Sequence, residues 1–253
     1  MPASALLIAS AASLRVASLN LCTDELLLTL AAPDQIVSVT HLAHKPQETI
    51  LWRQARRYPK NDGSLLSVAG RKPDLVVTMG GGARDRARIA QRLGIRILAL
   101  PYPQQLADVE RAIATVALAL GRPSVGDRWR KRTDALRRSQ PSVRPDTIWL
   151  GGGGRSVQAT GLAADWMALA GLRQRPLRGD RVSLEQLLVR PPAILLRSDY
   201  RRGQFSGDQR WLMHPLAKAT GRSRTVPTDG RAWTCMGPPM VAEVHRLRAR
   251  LRR

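Results

Sequence analysis

Two cysteines, Cys22 and Cys235, are the only sulfur nucleophiles in the chain. No C-x-x-C occurs, which excludes a zinc ribbon or a thioredoxin-type site. Two lone cysteines allow one disulfide or two free thiols. Cys22 stands just before a helix start, where a thiolate is favoured. Cys235 lies in a Gly/Pro-rich loop beside Trp233. His41 and His44 are three residues apart, a spacing that could hold a metal on a helix. No third ligand and no H-E-x-x-H accompany them, so no metal site is expected. Cys22, His41 and nearby acids could be assembled into a Cys/His catalytic site, though nothing in their spacing demands it. Gly80–Gly82 and Gly151–Gly154 fit neither G-x-G-x-x-G nor a P-loop, which argues against a nucleotide site. Both runs follow strands, where open α/β sheets place ligands. A tight turn needing positive φ explains them equally well.

These residues need a scaffold, and the pattern of strands and helices supplies one. Short apolar runs at Arg15–Leu19, Gln35–Val39, Asp74–Thr78 and Ile95–Leu100 read as strands. Helices are expected between them: one from Thr23 as N-cap, another from about Arg84 to Leu93 with Gly94 as its stop. Two helices follow, over residues 104–120 and Ser124–Ser139. The strand pattern then restarts at Thr147–Leu150 and Ala193–Leu196. Helices are expected over Leu162–Ala170, after a capping box at Ser183 and Gln186, and over Val241–Leu251. The alternation predicts an α/β fold: two three-layer lobes with parallel sheets, residues 15–122 and 141–253, joined by one long rigid helix over residues 123–140. Residues 1–14 read as a remnant export signal, with an apolar run and a small-residue end but no basic start.

The net charge is +22, and the chain holds 41 Lys and Arg against 19 Asp and Glu. The basic residues are overwhelmingly Arg and are scattered along the whole length. A GC-rich coding bias explains that better than a nucleic-acid surface, and no nucleic-acid partner is expected. Six of the ten aromatic residues are Trp.

Several segments, taken in order, resemble one family. Leu19-Asn20-Leu21-Cys22-Thr23-Asp24-Glu25-Leu26-Leu27-Leu28 looks like the opening of the helical-backbone (class III) substrate-binding proteins of iron–siderophore and cobalamin ABC importers. Lys72-Pro73-Asp74-Leu75-Val76-Val77 matches that family's strand entry. Val182–Leu188 resembles the matching helix of the second lobe. His214-Pro215-Leu216 and Trp233–Pro238 resemble the closing segment. The likeness covers about residues 15–250.

The resemblance implies a monomeric periplasmic receptor, not an enzyme, that hands a metal chelate or corrinoid to a permease in the inner membrane. No intrinsic cofactor is implied, since the ligand itself would carry Fe or Co. The expected cleft residues are Asn20, Cys22, Thr23, His41, Gly81, Arg84 and Tyr102 from the first lobe. From the second come Gly153, Arg155, Tyr200, Trp233 and Cys235. Tyr102 and Trp233 would offer flat apolar contacts, and Arg84 and Arg155 would pair with anionic oxygens. The two cysteines are expected to be separate thiols touching the ligand or its metal, because a bridge would lock the lobes. Glu185 is the expected permease contact, whereas the matching first-lobe position is Leu66. The alternatives are a Cys/His enzyme using the same cleft and a basic nucleic-acid-binding protein.

Overall fold

The computed structural model describes residues 13–80, 83–200, 206–218 and 222–252. Two all-parallel sheets organise the chain. The first has the order β3-β2-β1-β4-β5, from β1 (Val16–Ser18), β2 (Ile36–Thr40), β3 (Lys60–Asn61), β4 (Leu75–Met79) and β5 (Arg96–Leu100). The second has the order β7-β6-β8-β9, from β6 (Asp146–Leu150), β7 (Arg173–Gln174), β8 (Ile194–Ser198) and β9 (Arg224–Thr228). Helices cover both faces, so each lobe has three layers.

The strands are buried on both sides, and their side chains alternate between two cores. In β4, Leu75, Val77 and Met79 face one core and Val76 the other. In β8, Ile194 and Leu196 face that same first core, while Leu195 joins a third cluster. One apolar core is therefore shared by both lobes. It runs through helices Leu21–Leu30, Leu106–Ala119, Pro123–Arg138, Leu162–Ala170 and Met240–Leu251. Helix Pro123–Arg138 connects the two sheets, with proline in its first turn, where the missing N–H costs nothing.

The helix after β1 starts differently from expectation. Asn20, not Thr23, is its N-cap. Asn20 Oδ1 accepts the Thr23 amide at 3.0 Å, and Thr23 Oγ1 accepts the Asn20 amide at 3.4 Å. Thr23 is the third residue of the helix and the reciprocal half of the capping box. The expected helix over Leu162–Ala170 has those bounds and ends at left-handed Gly171. Ser183 and Gln186 close their capping box at 3.1 and 3.0 Å. Among the described residues no helix is long and apolar enough to cross a membrane.

Candidate functional site

Loops leave the C-terminal ends of the parallel strands in both lobes, and some of them join the lobes, at Cys22–Cys235, Tyr200–Glu48 and Arg231–Pro46. From the first lobe come Asn20–Thr23 after β1, the loop from His41 to Thr49 after β2, Gly80 after β4 and Tyr102 after β5. From the second come Gly151–Arg155 after β6, Tyr200 after β8, and the segment from Asp229 to Pro238 after β9.

Cys22 and Cys235 are joined by a disulfide with a Cα–Cα distance of 5.2 Å. This corrects the expectation of two separate thiols. The sulfurs cannot act as thiolate ligands to a soft metal, nor serve a Cys/His nucleophilic site, because neither is free. Sequence alone could not decide the point, since the two cysteines belong to different lobes and only tertiary folding sets their distance.

Among the described residues, hydrogen bonds also join the loop after β2 to the second lobe. The Tyr200 hydroxyl donates to Glu48 Oε2 at 2.8 Å, and Arg231 Nη1 donates to the Pro46 carbonyl at 2.9 Å. Asp229 holds the same guanidinium through Nε, at 2.9 Å, and Nη2, at 2.7 Å. Glu48 and Arg231 were not anticipated. Their loops lack any periodicity, and only the meeting of the lobes gives them a role. Asp165 Oδ2 accepts the Leu106 amide at 2.9 Å, and helix Leu106–Ala119, whose Val109 and Ala112 border the disulfide, packs on Leu162–Ala170.

Two adjacent carboxylates lie beneath this interface. Asp24 accepts from the Thr40 amide at 2.9 Å and from its hydroxyl at 2.5 Å, yet burial pushes its pKa up to about 6. Glu25 accepts from the Thr49 hydroxyl at 2.6 Å through Oε1. Its Oε2 is buried without a partner and faces Gly237 of the second lobe, 4.0 Å from where a Cβ would stand. Burial raises the Glu25 pKa to about 8, with Asp24 and Asp229 adding to the rise. Both acids looked like ordinary first-turn carboxylates placed for the helix dipole. The structure buries them instead.

The expected site residues divide accordingly. Tyr102 is 60% exposed, and its ring lies against the backbone of Gly80. Gly80 has φ +84°, and a Cβ there would stand 2.3 Å from the ring, so only glycine admits this contact. Arg155 is exposed and 3.6 Å from Asp208, a loose pair. Gly153 has φ +64°, and a Cβ there would meet Asp208 Oδ1 at 2.3 Å. His41 is exposed, with its amide bonded to the Asn61 carbonyl at 2.8 Å. Tyr200 is half-buried in the cross-cleft bond described above.

Other expected residues have structural positions. Thr23 is fully buried, and the Asn20 amide group donates to the Met79 carbonyl at 3.0 Å. Trp233 corrects the expectation of an open flat contact: it is 6% exposed, donates to Thr228 Oγ1 at 2.7 Å and packs against Trp149 at 6.0 Å. Gly81 and the side chain of Arg84 lie outside the described residues, as does the proposed export signal through residue 12. Glu185 and Leu66 are both exposed, and each is the second residue of a short helix capped by serine, Ser183 and Ser64.

Similarity to known proteins agrees with this architecture. The family model "Periplasmic binding protein" matches residues 16–220. A search of curated proteins found no match. Solved structures share the fold. The apo periplasmic heme-binding protein of Roseiflexus sp. RS-1 superposes with TM-score 0.66 at 22% identity, over 94% of this chain and 97% of that one. The periplasmic vitamin B12 binding protein of Vibrio cholerae gives 0.65 at 18%, over 94% and 96%. A periplasmic heme-binding protein from Pseudomonas aeruginosa gives 0.65 at 18%, over 94% and 92%. With two parallel-sheet lobes facing one cleft and a family match over most of its length, this chain belongs to the periplasmic binding proteins.

Proposed function

We propose that the chain is the periplasmic receptor of an ABC importer and that its cargo is a metal chelate, such as a ferric siderophore or haem, or a corrinoid. The observation that supports this reading is the two-lobed architecture: loops from strand C-termini of both parallel sheets join at Cys22–Cys235, Tyr200–Glu48 and Arg231–Pro46, and Tyr102 and Arg155 stand exposed on loops that leave the same strand ends. The likeness to haem- and B12-binding folds supports the ligand class. A flat chelate suits the Tyr102 ring. Its carboxylates suit Arg155, whose loose pairing with Asp208 a stronger anion can displace. The iron or cobalt belongs to the cargo, and no protein ligand to it is assigned.

Delivery requires docking on the permease. Glu185 and Leu66 occupy matching helix positions on the two lobes, so the docking face is acidic on one lobe and apolar on the other. Titration of the oxidised protein with haemin, cyanocobalamin and a panel of ferric siderophores, read by Trp fluorescence, tests the reading. One ligand per chain with quenching is expected, weakened about tenfold by Tyr102→Ala or Arg155→Ala, a change worth ~1.4 kcal/mol. Absence of binding to every compound by the folded protein contradicts it.

A further inference from the structure

The strands of the second sheet begin around a cavity of about 280 Å³. Pro145 precedes β6, Ile194 and Arg224 are the first residues of β8 and β9, and all three line it. The ends of helices Pro123–Arg138, Leu162–Ala170 and Met240–Leu251 close it through Ser139, Gly171 and Leu251. It therefore lies at the other end of the sheet from Gly151–Arg155 and Tyr200. We propose that this cavity is a second ligand site, which takes a free monocarboxylate with a short apolar chain. The inference goes beyond the receptor reading and does not depend on it.

The walls supply an apolar seat. Pro141, Val143, Ile194 and Leu251 line it. Val143 is 79% exposed, and a bound alkyl chain takes its side chain out of water. Left-handed Gly171 admits the Pro141 ring, since a Cβ there would stand 2.8 Å from Pro141 Cγ. The volume falls below the ~300–1,000 Å³ of sites that hold drug-sized ligands, so it suits a short chain and not a haem-sized cargo.

Three guanidiniums supply the charge. Arg224, Arg248 and Arg252 line the cavity, no carboxylate does, and none of the three forms an ion pair among the described residues. Arg248 is buried, and three of its five N–H donors are held by the Leu169 and Leu136 carbonyls and Ser139 Oγ. Two remain for a ligand. Burial, and after it the charge of Arg252, lowers the Arg248 pKa, so the cavity already penalises its own cations. An ionised carboxylate offsets that penalty, and its two oxygens match a guanidinium fork. Charge and walls together select an anionic head on an apolar tail.

Isothermal titration calorimetry of the full chain with sodium octanoate, below its micelle-forming concentration, tests the site. One octanoate per chain is expected. Affinity should rise about fourfold per methylene from butanoate to octanoate, which is the worth of a buried methylene converted to affinity. Octyltrimethylammonium, with the tail but the wrong charge, should bind at least about tenfold more weakly, as should acetate, with the charge but no tail. Arg252→Glu and Val143→Glu each place a carboxylate at the rim, and each should weaken octanoate at least about tenfold. Both positions are exposed, and thermal melts confirm that the variants fold. Tyr102→Ala and Arg155→Ala should leave octanoate binding unchanged. Absence of saturable binding overturns the proposal, as does equal binding by the two rim variants. A loss on Arg155→Ala also overturns it, because octanoate would then sit among the loops of the cargo site. Octanoate bound by a chain that takes no haemin, corrinoid or siderophore counts against the receptor reading alone.

Discussion

Glu25 is the residue whose environment departs furthest from what its neighbours in sequence suggest. Its folded pKa of about 8 lies above the ordinary 4.5 because burial penalises the charge. The folded state therefore holds the proton more tightly than the unfolded chain does. The associated stability is full below pH 4.5 and is lost as pH rises toward 8, by at most ~1.4 kcal/mol per unit. Asp24 has the same sign over its own window, from 3.8 to about 6. Glu25→Gln keeps an acceptor for Thr49 and removes the titration. Thermal melts from pH 5 to 8.5 should show the parent losing stability relative to this variant as pH rises. Parallel curves would mean that Glu25 is not buried as described. The capping role of Asn20 was half legible, because N-x-x-T fits a capping box as readily as a cap at Thr23. The burial of Asp24 and Glu25 was not legible, since it depends on contacts distant in sequence, Thr40 for Asp24 and the Gly237 segment of the second lobe for Glu25.

At the scale of elements, one arginine fastens three helices. Arg248, on Met240–Leu251, donates to the Leu136 carbonyl at 2.7 Å, the Leu169 carbonyl at 2.8 Å and Ser139 Oγ at 2.8 Å. Leu136 and Leu169 lie in the last turns of Pro123–Arg138 and Leu162–Ala170, where carbonyls lack partners and helix dipoles are negative. The buried guanidinium thus satisfies two helix ends and is itself partly neutralised by them. Arg248→Met should cost ~2–4 kcal/mol, because it takes the guanidinium from the Leu169 carbonyl and leaves the Leu136 carbonyl only the long Ser139 hydroxyl bond, and urea unfolding would measure it. A loss below about 0.5 kcal/mol would reduce Arg248 to an ordinary surface position. In the sequence this residue is one of many arginines on a basic helix, and nothing marks it. The long helices and central strands were legible from period and turn residues. The two-residue β3 and β7 are too short for any pattern. β9 contains Pro227, which argues against a strand, yet β9 is an edge, where a missing N–H is tolerated.

For the whole molecule, charge and connectivity set the expectations. The net +22 favours anionic cargo over cationic cargo, and added salt should weaken binding of a carboxylate-bearing chelate. Docking should depend on both lobes: Glu185→Lys should slow ligand transfer to reconstituted permease without changing ligand affinity. An unchanged transfer rate would remove Glu185 from the docking face. The two-lobed architecture was legible because its strand–helix order survives without knowing any contact. The cross-lobe disulfide and the Glu48–Tyr200 bond were not, because residues distant in sequence meet there only after both lobes have folded. The central claim, that this receptor carries a metal chelate or corrinoid, is tested most directly by native mass spectrometry of the protein purified from its own host. The account predicts one adduct per chain whose isotope pattern or accurate mass contains iron or cobalt. A chain that is ligand-free from ligand-replete cells, or that carries an oligonucleotide instead, would contradict it.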